Sequence, residues 1–259
     1  MSDLGLTLRQ VRFTNKAFWR NPASAFFTFA FPLMFLVIFT SLLGSGTTVV
    51  PPGIKITQST YYVASMAAFA VITACYTNVA ISVTFNRDAG ILKRTRGTPL
   101  PAWSYLAARV IHALIVSIIL VVITVAFGAA FYHAHIPSGV ELLQFLAVLG
   151  VGAMSFAALG LALTSIIPNA DASPPIVNAS ILPLLFLSGT FFPISEHSPA
   201  WVRLVGRVFP VKHFTDAMLA SFYGKPKFTF AWSDVLVIAV WGLVGLAIAA
   251  RFFSWEPRR

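Results

Sequence analysis

The chain is predicted to be an all-α polytopic membrane protein: six transmembrane helices, an N-terminal amphipathic interfacial helix, a basic cytoplasmic segment after the second span, and a re-entrant outer helical hairpin between helices 5 and 6. Three observations predict it. Of 259 residues, 58% are hydrophobic and only 10% charged, whereas a soluble domain is about half apolar and about a quarter charged. The apolar residues gather into six long runs. The Lys and Arg behind the formal charge of +10 cluster beside those runs, which fits an anionic lipid surface and the topology rule rather than a nucleic-acid partner.

A helix crosses ~30 Å of hydrocarbon with ~20 residues, which places the spans near 23–43, 61–83, 106–131, 142–167, 175–192 and 233–253. The first run is as long as a span and shows no small-residue cleavage site, so it is expected to stay as an anchor. Six spans put both termini on one side. Arg9, Arg12, Lys16 and Arg20 precede the first span, Arg87, Lys93, Arg94 and Arg96 follow the second, and Arg258-Arg259 end the chain. These charges assign that side to the cytoplasmic face of the cell (plasma) membrane. The loop at 44–60 holds only Lys55, and the one at 132–141 holds no Lys or Arg, as suits the outside. The 193–232 connection departs from the pattern with Arg203, Arg207, Lys212, Lys225 and Lys227, and is read as partly membrane-embedded.

Within residues 1–20, Leu4, Leu8, Val11, Asn15 and Phe18 share one helical stripe and the four basic residues another, the pattern of a helix in the headgroup plane. Two readings stay open: a basic anchor that fixes topology, and a lateral helix that also touches a cytosolic subunit. The fifth span is short, follows Pro174-Pro175, contains Pro183 and ends in Ser188-Gly189-Thr190-Phe191-Phe192-Pro193. Proline removes backbone donors, so irregular backbone at that depth must be covered by protein or line a cavity. Beyond it, Ser198 is placed to cap a helix with Pro199 at its first position. Trp201, Leu204, Val205 and Val208 form an apolar stripe, Phe214, Met218 and Phe222 another, and Gly224 offers a stop. Residues 193–226 are therefore read as a helical hairpin dipping back into the outer leaflet.

Catalytic and metal chemistry is sparse. No phosphate-binding loop occurs, since Gly224-Lys225 is followed by Pro226. There is no zinc-binding or serine-nucleophile motif, and eight Asp or Glu in all offer no close carboxylate pair. Cys75 lies in an apolar run and reads as a core residue. His133 and His135 read as solvated loop residues, and Arg109 and His112 as interfacial anchors. The spans carry almost no charge, which argues against ion-coupled transport. Mild polarity does occur at Thr73, Tyr76, Thr77, Asn78, Ser155, Thr164, Asn178, Ser180 and Ser188. Such residues suit interhelical hydrogen bonding and, as a set, a mostly apolar route.

The segment from Phe85 to Leu100 puts four Lys or Arg and one Asp on the membrane surface, in a pattern too ordered for a bare linker. Its core reads Arg87-Asp88-x-Gly90-x-Leu92-Lys93-Arg94-x-Arg96-x-Thr98-Pro99-Leu100. With Asn21-Pro22 and Phe31-Pro32 before it, and Leu187-Ser188-Gly189-x-Phe191-Phe192-Pro193 and Phe209-Pro210 after it, the chain resembles the membrane subunit of type-2 ATP-binding-cassette exporters. That group includes drug-resistance, polysaccharide and nodulation-factor export permeases, and the drug-resistance (multidrug export) branch is the expected one.

The resemblance implies a single permease domain over 1–259, with an interfacial helix at 1–20, a cytoplasmic coupling segment at 84–100 and the outer hairpin at 193–226. It implies two copies of a cytosolic ATPase subunit, which hold the ATP and magnesium, and a second permease half, identical or related. No cofactor or metal is expected in this chain. The coupling helix maps onto Phe85 to Leu92, with Arg87 and Asp88 facing the ATPase, Gly90 permitting close approach, and Lys93 and Arg94 following. Pro99 and Pro101 would stiffen its attachment. The pathway maps onto Thr73, Thr77, Asn78, Asn178 and Ser188. The cargo suggested by apolar, uncharged spans is a hydrophobic or amphipathic small molecule such as a drug, antibiotic or lipid-like compound. A lipid-linked polysaccharide or glycolipid is the alternative, and a membrane enzyme or assembly factor a further one.

Overall fold

The structure, a computed structural model, describes residues 3–50, 54–98, 100–194, 198–223 and 231–256. Among them the regular structure is helical apart from one β-hairpin. The expectations placed on Pro99, Gly224, Lys225, Lys227, Arg258 and Arg259 lie outside the described residues.

The N-terminal helix α1 (Asp3–Trp19) buries Thr7, Val11 and Thr14 against the start of α6 (Ala102–Tyr132). There Thr7 Oγ1 meets Ser104 Oγ at 2.7 Å. The buried stripe is thus rotated from the one expected, since Leu4 and Leu8 are exposed. Small hydroxyl side chains let the two backbones approach, whereas leucines would hold them apart. Arg9, Arg12, Lys16 and Arg20 are exposed as expected. Trp19 stacks on Phe29 at 5.6 Å across the Asn21-Pro22 corner into α2 (Pro22–Leu43).

The connection after α2, expected as a loop, contains β1 (Thr47–Val50) and β2 (Ile54–Thr57), antiparallel with Thr47 opposite Thr57 and Val50 opposite Ile54. Its β-branched composition, Thr-Thr-Val-Val and Ile-Lys-Ile-Thr, is the physical reason. Thr57 then accepts from the Thr60 N–H at 3.3 Å and caps α3 (Gln58–Ile72). Residues Thr60 to Ile72 are all buried, so this helix is the axis of the bundle. A π-helical stretch (Thr73–Thr77) joins it without a break to α4 (Asn78–Asp88). Gly90, at φ 72°, turns the chain into the short helix α5 (Ile91–Arg96).

After α6 come α7 (Val140–Leu163), α8 (Ser173–Phe186), α9 (Ala200–Val208), α10 (Pro210–Ala220) and α11 (Trp232–Phe252). Among the described residues five helices are long and apolar enough to cross a membrane: α2, the continuous 58–88 helix, α6, α7 and α11. The expected fifth span differs. α8 has 14 residues, about 21 Å of helix, because Gly189 at φ 84° turns the chain three residues beyond it. Pro199, not Ser198, is the N-cap of α9, and no side-chain cap hydrogen bond forms there. Helix α10 buries Phe214 and Met218, and the turn after it buries Phe222, as expected. The apolar stripe of α9, by contrast, points outward at Trp201, Leu204 and Val208.

Helices α7 and α11 pack through small residues. A Cβ on Gly242 would lie 2.3 Å from Ser155 Oγ, and one on Gly245 would lie 2.9 Å from the Leu159 nitrogen. Gly242→Leu is therefore expected to force the helices apart and destabilise the fold by ~2 kcal/mol, the usual scale of overpacking. Thermal unfolding in detergent should show a lowered midpoint and a broadened size-exclusion peak. An unchanged midpoint would mean that α11 does not depend on this close approach.

Candidate functional site

Both ends of the described chain meet at one end of the bundle, where Trp255 packs on Tyr105 at 5.6 Å and α1 lies against the start of α6. Helix α5 is at this same basic end. The strongest anchorage there is Arg87, the largest fully buried side chain, 1% exposed. Its Nη1 donates to the Thr164 carbonyl at 2.9 Å, and its Nη2 to the carbonyls of Ile167 and Pro168 at 2.7 and 3.2 Å. Asp88 Oδ2 accepts from the Ala170 N–H at 2.5 Å, and Asp88 Oδ1 lies 3.5 Å from Arg87 Nε. The last turn of α4 is thereby tied to the turn at 164–172 between α7 and α8, whose own backbone is shaped by Asn169 Oδ1 accepting from the Ala172 N–H at 2.9 Å.

This corrects the expectation that Arg87 faces outward. A planar guanidinium with five donors fits a cluster of helix-end carbonyls, and here it is spent inside the chain. Leu92, fully buried, pins α5 to the core. Gly90 is required by its positive φ, and among the described residues nothing beyond its chain neighbours comes within 4 Å of where its Cβ would stand. Of the predicted coupling residues Phe85, Lys93 and Arg94 are exposed, as are their neighbours Ala89, Ile91, Arg96, Gly97 and Thr98. Between α5 and α1 runs an open groove of about 530 Å³ whose walls include Arg9, Gln10, Phe13, Ile91, Arg94 and Thr98. Sequence reading had both walls but not their juxtaposition, which depends on how α1 folds back onto α6.

A second cavity, about 420 Å³, lies between α1, α4 and α6 and is lined by Asn78, Arg109 and His112 among others. Of the five predicted pathway residues only Asn78 lines it. Thr73 donates to the Phe69 carbonyl at 2.9 Å, Thr77 is half-buried in the π-helical stretch and Asn178 is exposed on α8. Ser188 is buried in a hydroxyl chain, 2.7 Å from Thr190, which is 3.0 Å from Thr215. The structure does not bring the five to one surface. Tyr76 instead bonds Ser180 at 2.8 Å, joining the bulged helix to α8.

The opposite end carries a polar clamp that sequence reading missed. His213 on α10 has Nδ1 2.6 Å from Asp234 Oδ1 and Nε2 2.9 Å from the Arg207 carbonyl. Both ring nitrogens thus face acceptors, as an imidazolium requires. The hydrogen bond to Asp234, the largest cause, raises its pKa against the opposing effect of burial. Lys212 donates to Asp216 at 2.6 Å one turn along. The only signal in the sequence was the spacing of Lys212 and Asp216 at i, i+4.

An apolar bundle with charged side chains used as struts and clamps defines a polytopic α-helical membrane protein. The ABC-2 type transporter family matches residues 7–223, and the chain belongs to that family. It is similar to the probable multidrug ABC transporter permease YbhR of Escherichia coli (strain K12), 24% identical over 174 residues that cover 67% of this chain and 46% of that one. The putative transport permease YvfS of Bacillus subtilis (strain 168) is 23% identical over 230 residues, 89% of each chain. Nodulation protein J of Rhizobium leguminosarum bv. viciae is 31% identical over 85 residues, 33% of this chain and 32% of that one. The chain spans about half the length of YbhR.

Proposed function

We propose that this chain is the membrane half of an ATP-driven exporter that moves a hydrophobic or amphipathic small molecule out of the cytoplasm or inner leaflet. Its basic end faces the cytoplasm, with both termini there, and α8 with the turn after it serves as the fifth of six spans. Helices α9 and α10 form the re-entrant outer hairpin. Two such halves work with two copies of a cytosolic ATPase, which hold the ATP and magnesium.

The single observation that carries this reading is the tie from Arg87 and Asp88 to the 164–172 turn. An ATPase seated in the groove between α1 and α5 would push on α5. Leu92 and the Arg87 strut would pass that motion to α4, α7 and α8 together, as rigid-body movement requires. The multidrug name of YbhR and the uncharged, apolar spans support the cargo class. The test is co-expression with the candidate ATPase, purification in mild detergent and an ATPase assay with and without drug-like amphiphiles. A co-purifying ATPase stimulated by such compounds is expected, and a chain that purifies with no ATPase would overturn the reading.

A further inference from the structure

The cavity between α1, α4 and α6 differs from the docking groove in its lining and surroundings. Its polar walls include Asn78, Ser82 and Asn86 from α4, Arg109 and His112 from α6, and Asn21 at the corner after α1. Phe18, Val79, Ile81 and Val116 supply apolar wall. No Asp or Glu is among the described lining residues, so the cavity is a cationic recess with amide donors.

Two side chains in it have unused capacity. His112 is 8% exposed, and its Nε2 is buried with no hydrogen-bond partner, a costly arrangement for a polar atom. Phe18 closes over the imidazole edge-on at 5.5 Å, so the ring is held in place. Arg109, one turn earlier on the same face, donates through Nε and Nη2 to the Tyr105 hydroxyl at 3.1 and 2.9 Å. No described carboxylate pairs with it. A guanidinium met only by a neutral phenol retains charge and donors for an anion.

Position decides what kind of anion. Arg109 lies seven residues into α6, about 10 Å along the helix, near the depth at which headgroups give way to acyl chains. Beyond the cavity, on the side of α6 that carries His112 and Val116, come the half-buried Ile119 and the exposed Ile123, an apolar track a hydrocarbon tail would follow. The volume of about 420 Å³ falls within the usual range for a small ligand. We propose that this cavity binds the phosphate-type anionic head of a membrane amphiphile, with Arg109 as the charge partner and His112 Nε2 and the α4 amides as hydrogen-bonding groups. The site belongs to each permease half alone and stands whether or not the export reading holds.

The test is native mass spectrometry of the full chain, released from detergent and titrated with phosphatidylglycerol, with phosphatidylcholine or with inorganic phosphate. One saturable phosphatidylglycerol per chain is expected, bound about tenfold more tightly than phosphatidylcholine. Arg109→Gln should weaken it about tenfold, the effect of losing a charge-assisted hydrogen bond. Ala17→Trp, at an exposed position on the cavity rim, should block binding without disturbing the core; circular dichroism checks that both variants are folded. Equal binding of the two lipids, or phosphatidylglycerol binding untouched by both variants, would overturn the proposal. Displacement by millimolar inorganic phosphate would overturn it too, by assigning the site to a soluble anion.

Discussion

Arg87→Ala is expected to lower the thermal midpoint of the purified permease more than any other charge-removing substitution at the basic end. Three carbonyls, those of Thr164, Ile167 and Pro168, lose their donor together in a place 1% open to solvent. A buried acceptor left unsatisfied costs roughly 1–3 kcal/mol. Relaxation of the 164–172 turn would recover part of that, so a net loss of ~3 kcal/mol is expected, or on the order of 10 °C in the midpoint for a chain of this size. Arg87→Lys should restore only part of it, because a compact ammonium cannot span three carbonyls as a planar fork does. Asp88→Asn should cost less, about 1 kcal/mol, since the amide oxygen still accepts from Ala170 and only the charge is lost.

The same substitution separates two roles for this residue. If Arg87 were a docking charge, its loss would abolish ATPase binding while the permease alone melted normally. The observed geometry predicts the reverse order: the isolated permease is damaged first, and any complex that still forms hydrolyses ATP without drug stimulation. Differential scanning fluorimetry of the permease, set beside ATPase assays of the complex, distinguishes them. A wild-type midpoint for Arg87→Ala would sink the strut.

That reversal shows where the sequence is legible and where it is not. Spans α2, α6, α7 and α11 follow from apolar runs alone, because a membrane helix must satisfy its backbone internally and needs only length and apolarity. The second span follows too, but its extension to Asp88 and its π-helical stretch do not, since a bulge of one extra residue leaves no mark on composition. The β-hairpin at 47–57 was hidden because a count of charges ignores β-branched alternation. On α1 the stripe of large apolar residues was visible, yet the helix buries the smaller Thr7, Val11 and Thr14, because α6 demands close approach.

The site shows the same division. That residues 85–96 form a basic surface unit is readable from the charge pattern, whereas its helical form comes only with the family resemblance. Which charges face out is not readable, because Arg87 and Arg94 look alike until the 164–172 turn, nearly eighty residues on, supplies carbonyls to one of them. Arg109 and His112 read as anchors for the same reason. Their cavity exists only once α1 folds back over α6 and brings Phe18 across.

The second large effect is expected from reversing charge on the groove itself. Arg9 and Arg94 stand on its two walls, both are exposed and neither has a carboxylate partner among the described residues. The double substitution Arg9→Glu with Arg94→Glu should leave the permease folded, with its thermal midpoint within about 1 °C of wild type, because exposed charges contribute little to stability. Binding of the ATPase should weaken by about a hundredfold or more, since like charges brought together across an interface cost several kcal/mol. Raising salt should narrow that gap, as screening predicts. Arg12→Glu provides the contrast: Arg12 is exposed on the same helix but does not line the groove, so it should cost tenfold or less. If α1 were only a basic anchor against lipid, Arg9→Glu and Arg12→Glu would act alike and neither would alter ATPase affinity. Surface plasmon resonance of the ATPase over immobilised permease, at two salt concentrations, reads all three variants. Equal effects would return α1 to the role of an anchor; a loss confined to the groove would make it one wall of the ATPase seat.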